Sequence, residues 1–275
     1  MRNAEGCLLG TGYSGAANIR LSVDTALSSI QEALQQAFLQ ANIQQNDHDY
    51  RFHIGLGLAG TEAEHACIEF LARLPRFDTV VLESDAVTAC FGAHNGLDGA
   101  VLIIGTGVIG YKITHGEHQR VGGWGFPYDD AGGGAWLGLQ TIRYTLECHD
   151  GRRAPSPFLR EVYKFFHQDI EELIAWATQA TATEYATFAP LLIEYMHQKD
   201  PYALELIEHS ALALSSVLKT LLAGNESIPV CLCGGLAPYV APYLKKRLNI
   251  TFVPGQYNAS EGALLRVKHK IMGRA

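Results

Sequence analysis

The segment from Thr79 to Gly110 constrains the fold more than any other part of the chain. It holds two short apolar runs, Thr79-Val80-Val81-Leu82 and Ala100-Val101-Leu102-Ile103-Ile104, with a helix-compatible stretch over 86–94 between them. Strand-length apolar runs alternating with a helix make a β-α-β unit, and such units build sheets that contain parallel strands. The first run leads into Glu83-Ser84-Asp85 and the second into Gly105-Thr106-Gly107. In open α/β sheets, ligands bind outside the carboxyl ends of the strands. One strand therefore delivers a carboxylate, Asp85, and the other delivers a glycine turn whose backbone N–H groups suit an anion. A phosphotransferase needs that pair of parts.

The same rhythm extends along the chain. Ser22 caps a helix running to about Ala41, and Phe52–Gly60 reads as a buried strand whose glycines allow close packing. Thr61 and Glu64 have the spacing of a capping box for a helix to about Leu74. After Gly107 the alternation of Val108–Ile113 predicts a strand, so Gly105–Gly107 sits in a hairpin, and Gln119–Gly125 predicts a further short strand. Helices are predicted over 133–148, 157–167, 169–179, 183–198 and 201–223. Strand 229–233, helix 237–247, strand 250–253 and helix 259–272 close the chain. These elements describe an α/β protein of two lobes with mixed sheets flanked by helices. We expect a first lobe over 1–115, a second over 116–255 carrying a helical insertion, and a final segment, 256–275, packing back on the first.

Composition narrows the function. A formal charge of −7 without any basic run excludes a nucleic-acid or anionic-membrane footprint. Met1–Gly6 lacks the apolar core of a signal peptide, and no apolar stretch is long enough to span a bilayer, so a reducing cytoplasm is the simplest setting. The six cysteines form no Cys-x-x-Cys pair and the histidines show no ligand spacing, so no metal site is expected. Cys231 and Cys233 share a face if their run is a strand. They read as small core residues, with a metal or redox pair as the alternative.

Each motif has a plain reading beside a functional one. Gly105-Thr106-Gly107-Val108-Ile109-Gly110 matches a dinucleotide pattern, which requires a helix after the glycines. A strand follows here, so a structural or phosphate-binding hairpin is preferred over a nicotinamide oxidoreductase. Asp85 could cap its helix or act as a base. Trp124, between Gly123 and Gly125, could pack in its loop or offer a face to a sugar ring. Asp129 and Asp130 could complement the dipole of the next helix, and Gly132-Gly133-Gly134 predicts close approach of a ligand or of the other lobe. Gly234-Gly235 could be a tight turn or could let a nucleotide lie on the backbone, and Asn258–Leu264 reads as a capped, closely packed helix start.

Taken in order, these segments resemble the glucosamine and N-acetylglucosamine kinase group of the actin/hexokinase/Hsp70-like ATPases. The resemblance is carried by Ser14–Asn18, Gly57–Gly60, Ser84-Asp85-Ala86, Gly105–Gly107, Gly122-Gly123 with Phe126-Pro127, Asp130-x-Gly132-x-Gly134 to Gly138, Cys233–Gly235 and Glu261–Leu265. It implies a two-lobed, actin-like fold and an ATP-dependent kinase acting on a small-molecule sugar, glucosamine before N-acetylglucosamine, with ATP and Mg²⁺. A homodimer is the oligomer left open. By position, Asp85 is implied as the catalytic base, Asn18 with Gly123, Trp124 and Gly125 as the sugar-binding residues, and Asp130 as a substrate-side hinge residue. Gly105, Thr106 and Gly107 are implied at the ATP phosphates, and Gly234 and Gly235 at the adenosine. The family pattern places a strand and an Asp-Gly-Gly-Gly-Thr loop ahead of the segment matched by Arg2–Gly6. For a chain starting at that segment the expectation is weak or absent ATP binding, with a catalytically impaired sugar-binding homologue as the alternative. Val108 replaces the family's usual serine, and Ala131 and Gly133 replace its Glu or Gln and Ser.

Overall fold

The computed structural model describes residues 1–45 and 47–273, so the last two residues of the 256–275 segment lie outside the described residues. The chain forms two compact units, one made of residues 1–96 with the segment from Gln256 onward, the other of Leu97–Gly255. The division falls after Gly96, earlier than the position near 115 read from sequence. Its cause is that the strands at 99–114 are hydrogen-bonded into the second unit's sheet.

The first unit opens with α1 (Val23–Ala41), capped by the Ser22 hydroxyl, which accepts from Thr25 N at 3.1 Å. β1 (His53–Leu58) buries Ile54, Leu56 and Leu58 in alternation, in one cluster with Ile19, Ala26 and Leu27 and with Phe70 of α2 (Glu64–Arg73). The capping box read at Thr61 and Glu64 does not form. α2 begins at Glu64 after Ala63, because Thr61 is used in a turn closed by Ala63 N donating to Gly60 O at 3.2 Å. β2 (Thr79–Ser84) pairs in parallel with β1, from His53 opposite Thr79 to Leu58 opposite Ser84, and runs directly into α3 (Asp85–Ala93).

The second unit is built on a four-stranded sheet. β3 (Gly99–Ile104), β4 (Val108–Thr114) and β5 (Glu117–Gly122) form an antiparallel meander. The helices follow: α4 (Gly134–His149), α5 (Pro157–Phe165), α6 (Ile170–Gln179), α7 (Ala182–Ala186), α8 (Ala189–His197) and α9 (Pro201–Leu222). The single helix expected over 183–198 is two, because Pro190 at the start of α8 has no N–H to continue α7. β6 (Val230–Cys233) adds in parallel to β3, giving the order β5-β4-β3-β6, and α10 (Ala237–Leu248) follows it. β3 is one of the two inner strands and is buried on both faces, with Ala100, Val101, Leu102 and Ile104 at 0% exposure. A strand expected at 250–253 is reduced to one bridge between Phe252 and Val230, since Pro254 lacks the N–H that would extend it.

The chain then returns to the first unit as α11 (Ala259–Ile271), with the Asn258 side chain accepting from Glu261 N at 3.0 Å. α11 lies directly on β1 and α3. A side chain at Gly55 would sit 2.1 Å from Ala263 O, and one at Gly262 would sit 1.9 Å from Thr88 O. The small residues at these places let backbones meet, and Arg266 closes the edge on Glu83 at 2.6 Å.

Candidate functional site

Two groups of residues stand at carboxyl ends of parallel strands, one in each unit, and each follows from its own local structure. In the first unit, β1 and β2 end in register at Leu58 and Ser84. Ser84, not Asp85, is the N-cap of α3; its hydroxyl accepts from Val87 N at 3.2 Å. The plain reading of Asp85 as a cap is therefore replaced. Asp85 occupies the first helical position, is exposed, and accepts from Ala86 N through Oδ1 at 2.8 Å.

Asn18 reaches the same end of this sheet. It bridges Ala59 in parallel, immediately after β1, and Ile19 N donates to Ala59 O at 3.1 Å. Its side-chain oxygen accepts from Arg20 N at 3.1 Å and Leu21 N at 3.3 Å. This fixes the side chain by its oxygen, while the amide nitrogen donates to no described residue and remains a hydrogen-bond donor beside the strand end.

In the second unit, β3 ends at Ile104 and the turn Gly105-Thr106-Gly107 leads into β4. The carbonyls of this turn are taken: Gly134 N donates to Gly105 O at 2.8 Å, Ala135 N to Thr106 O at 2.9 Å, and Gly105 N to Gly107 O at 3.0 Å. The N–H groups of Thr106 and Gly107 donate to no described residue. A turn whose carbonyls are satisfied and whose successive N–H groups have no protein acceptor can receive an anion. The three glycines 132–134, read as a place where a ligand or the other lobe comes close, are instead packed within their own unit. A side chain on Gly133 would meet Thr106 O at 2.9 Å, and one on Gly132 would meet Ser210 O at 2.9 Å.

Asp130 holds this turn from beneath. It is 8% exposed, sits at φ 66°, and accepts from Val108 N at 3.1 Å. A side chain at Gly107 would lie 2.5 Å from its carboxylate. Burial pushes the Asp130 carboxyl above its usual range, with the Val108 hydrogen bond opposing. Asp129 and Asp130 therefore do not complement a helix dipole; α4 starts at Gly134 with no acid in its first turn, and both carboxylates are spent on loop N–H groups.

The neighbouring loop carries Gly123, Trp124 and Gly125. Trp124 is 68% exposed, and its N–H donates to Asp129 Oδ2 at 3.0 Å. Arg120, which sequence reasoning missed, organises this loop. Its guanidinium lies 4.4 Å over the Trp124 ring, and it donates to Gly122 O at 2.9 Å and to Gly123 O. The signal was available: a basic residue on β5 just ahead of a glycine-flanked tryptophan is placed for a cation–π contact.

β6 runs parallel to β3 with Cys233 opposite Ile103, so Gly234 and Gly235 lie beside Gly105 at the same sheet edge. The two glycines differ. Gly234 has φ 94°, and a side chain on it would meet Ile104 O at 2.3 Å, whereas nothing lies within 4 Å of the side-chain position of Gly235. Gly105 is open in the same way. Among the described residues, no group of three or more His, Cys, Asp or Glu is placed to hold a metal ion, and no helix is long and apolar enough to cross a membrane.

Comparison with known proteins places the chain in a family. Residues 1–266 match the model of the BadF/BadG/BcrA/BcrD ATPase family. Glucosamine kinase GspK of Vibrio cholerae is 36% identical over 96% of this chain and 90% of its own length. A crystal structure from Chromobacterium violaceum, provisionally described as an N-acetylglucosamine kinase, superposes with TM-score 0.88 at 30% identity, over 96% of this chain and 92% of that one. A ROK hexokinase from Thermus thermophilus shares the fold at TM-score 0.51 and 16% identity, over 90% and 87% of the two chains. The fold is the actin-like ATPase fold.

Proposed function

The chain belongs to the BadF/BadG/BcrA/BcrD ATPase family, and from that premise we propose that it is an ATP-dependent kinase of hexosamines, glucosamine before N-acetylglucosamine. The preference for glucosamine follows the higher identity to a glucosamine kinase. The observation that carries the nucleotide reading lies within one sheet. Gly105 and Gly235 leave open space at the ends of adjacent parallel strands, next to the undonated N–H groups of Thr106 and Gly107.

In this reading the Thr106 and Gly107 N–H groups hold phosphate oxygens, with Gly105 allowing their approach. Gly235 lets the adenosine rest on the backbone, and Gly234 makes the turn that puts it there. Magnesium would come with ATP and would offset charge on its phosphates; among the described residues no group of three or more His, Cys, Asp or Glu is placed to hold it. Asn18 donates its amide to a sugar hydroxyl. Trp124 offers its ring and Gly123 and Gly125 their backbone to the sugar, while Asp130 serves the substrate side by holding the phosphate turn through Val108 N.

Asp85 accepts the proton of the attacking sugar hydroxyl. As that oxygen bonds to the γ-phosphorus, the bond to the bridging oxygen breaks and ADP leaves. Phosphoryl transfer depends mostly on positioning and charge stabilisation, so the base contributes a bounded factor. Asp85→Asn in the full-length protein is expected to lower kcat by about 10² to 10⁴, with sugar affinity, measured by calorimetry, retained. Turnover near that of the wild type would remove Asp85 from the mechanism.

A further inference from the structure

The loop that carries Trp124 has little stiffness of its own. Gly122, Gly123 and Gly125 sit at φ 75°, 77° and 105°, and glycine loses more conformational freedom on ordering than any other residue. A tryptophan flanked in this way must be aimed from outside the loop. We propose that Arg120 is a positioning residue for the sugar: its guanidinium fixes the Gly122–Trp124 backbone and covers one face of the indole, leaving the other face as the surface on which a hexosamine ring rests.

Three sets of contacts converge on this role. First, two successive carbonyls of the loop meet one side chain. Arg120 Nε donates to Gly122 O at 2.9 Å, and Nη2 donates to Gly123 O. A planar guanidinium holds two acceptors in one fixed geometry, whereas a lysine ammonium is a point charge on a flexible stem. Second, the same guanidinium lies 4.4 Å from the centroid of the Trp124 ring, so backbone and ring are referred to one rigid group. Arg120 stands on β5 opposite Tyr111 of β4, and the sheet anchors it. Third, the loop is closed from its far side. Trp124 N donates to Asp129 Oδ2 at 3.0 Å, and Asp129 N donates to Gly125 O at 3.0 Å. Gly123 lies so close to β4 that a side chain on it would be 3.0 Å from Ile109.

The indole is nevertheless 68% exposed. With one face against the guanidinium, the other is the open one. The axial C–H bonds of a pyranose form an apolar patch that suits an aromatic face. Glucosamine and N-acetylglucosamine share that patch, so loss of the guanidinium should weaken both by a similar factor.

The bearing of Arg120 on substrate rests on the reading that Trp124 faces the sugar, and the experiment keeps the two apart. Full-length protein labelled with 5-fluorotryptophan is compared with Arg120→Met and Arg120→Lys by fluorine NMR and by steady-state kinetics with both sugars. Trp124→Leu identifies the Trp124 resonance among the three tryptophans. Arg120→Met is expected to shift and broaden that resonance and to raise both sugar KM values roughly tenfold. Nearly unchanged kcat would mark the loss as binding shared by ground and transition states. Arg120→Lys keeps a cation for the ring but not the fork, and should recover only roughly two- to fivefold of the loss. An unmoved Trp124 resonance in Arg120→Met overturns the positioning role, and Arg120→Lys matching the wild type in both readouts overturns the two-carbonyl clamp. A moved resonance with both KM values unchanged, or a fall in kcat alone, overturns the effect on sugar binding. Unaltered sugar KM in Trp124→Leu counts against the Trp124 reading instead, and the resonance still decides whether Arg120 holds the ring.

Discussion

Alanine at Gly235 and alanine at Gly234 are chemically the same change one residue apart, and the structure separates their outcomes. At Gly235 the added methyl meets nothing within 4 Å and the backbone carries no positive φ. Restricting the unfolded chain at such a position stabilises by about 0.4–1 kcal/mol, so the melting temperature should hold or rise slightly. If adenosine rests on this backbone, the methyl stands where the ligand must be. Overpacking by one methyl costs about 1–3 kcal/mol, which corresponds to a rise in Kd of roughly 5- to 150-fold. Gly234→Ala does the reverse. Its φ of 94° and the Ile104 oxygen 2.3 Å from the new methyl lie inside the protein itself. A left-handed conformation costs an ordinary residue roughly 1–2 kcal/mol, and the clash adds about 1–3 kcal/mol. At about 2–4 °C per kcal/mol, the melting temperature should fall by roughly 4–20 °C. Thermal unfolding without ligand, together with titration of a fluorescent ATP analogue, reads both effects. Unchanged nucleotide affinity in a fully folded Gly235→Ala refutes the adenosine assignment. A Gly234→Ala protein as stable as the wild type refutes the turn geometry beneath it.

Two further substitutions separate held structure from ligand contact. Asn18→Asp keeps the side-chain oxygen that accepts from Arg20 N and Leu21 N but removes the amide donor; losing one hydrogen bond of about 1 kcal/mol should raise the sugar KM roughly fivefold, with thermal stability unchanged. Asp130→Asn tests the buried carboxyl through pH. Because the folded pKa is raised above the ordinary 3.8, the protonated form is favoured in the native state. The stability associated with this group is therefore fully present below 3.8 and is lost as pH rises through the folded value. Denaturant unfolding of both proteins from pH 4 to 7 should show the wild type losing stability relative to Asp130→Asn as pH rises, and a constant difference would count against the burial of that carboxylate.

Much of the architecture was legible because strong local patterns agree with the fold. The apolar runs ahead of Asp85 and Gly105 became β2 and β3, and the alternation after Gly107 gave the hairpin rather than a dinucleotide-binding helix. What sequence could not supply was set by partners distant along the chain. Thr61 and Glu64 have capping-box spacing, yet the turn closing on Gly60 consumed Thr61. The glycines at 132–134 signalled close approach, but only the structure shows that the approaching groups are Thr106 O and Ser210 O. Asp85 could be placed at a strand end and Asn18 entered only through the resemblance, whereas the division of labour in Asn18, oxygen to backbone and nitrogen left to donate, depends on where residues 20 and 21 turn. Arg120 was passed over because its role needs the β5 end and the Trp124 ring to meet in space.

The kinase assignment itself turns on which sugar provokes phosphoryl transfer. ADP release from Mg-ATP by the full-length protein, measured in a coupled assay across glucosamine, N-acetylglucosamine, glucose and mannose, tests it most directly. The account predicts ADP release that depends on a hexosamine, with kcat/KM highest for glucosamine. ADP release that no hexosamine stimulates, or stimulation by glucose alone, would contradict it.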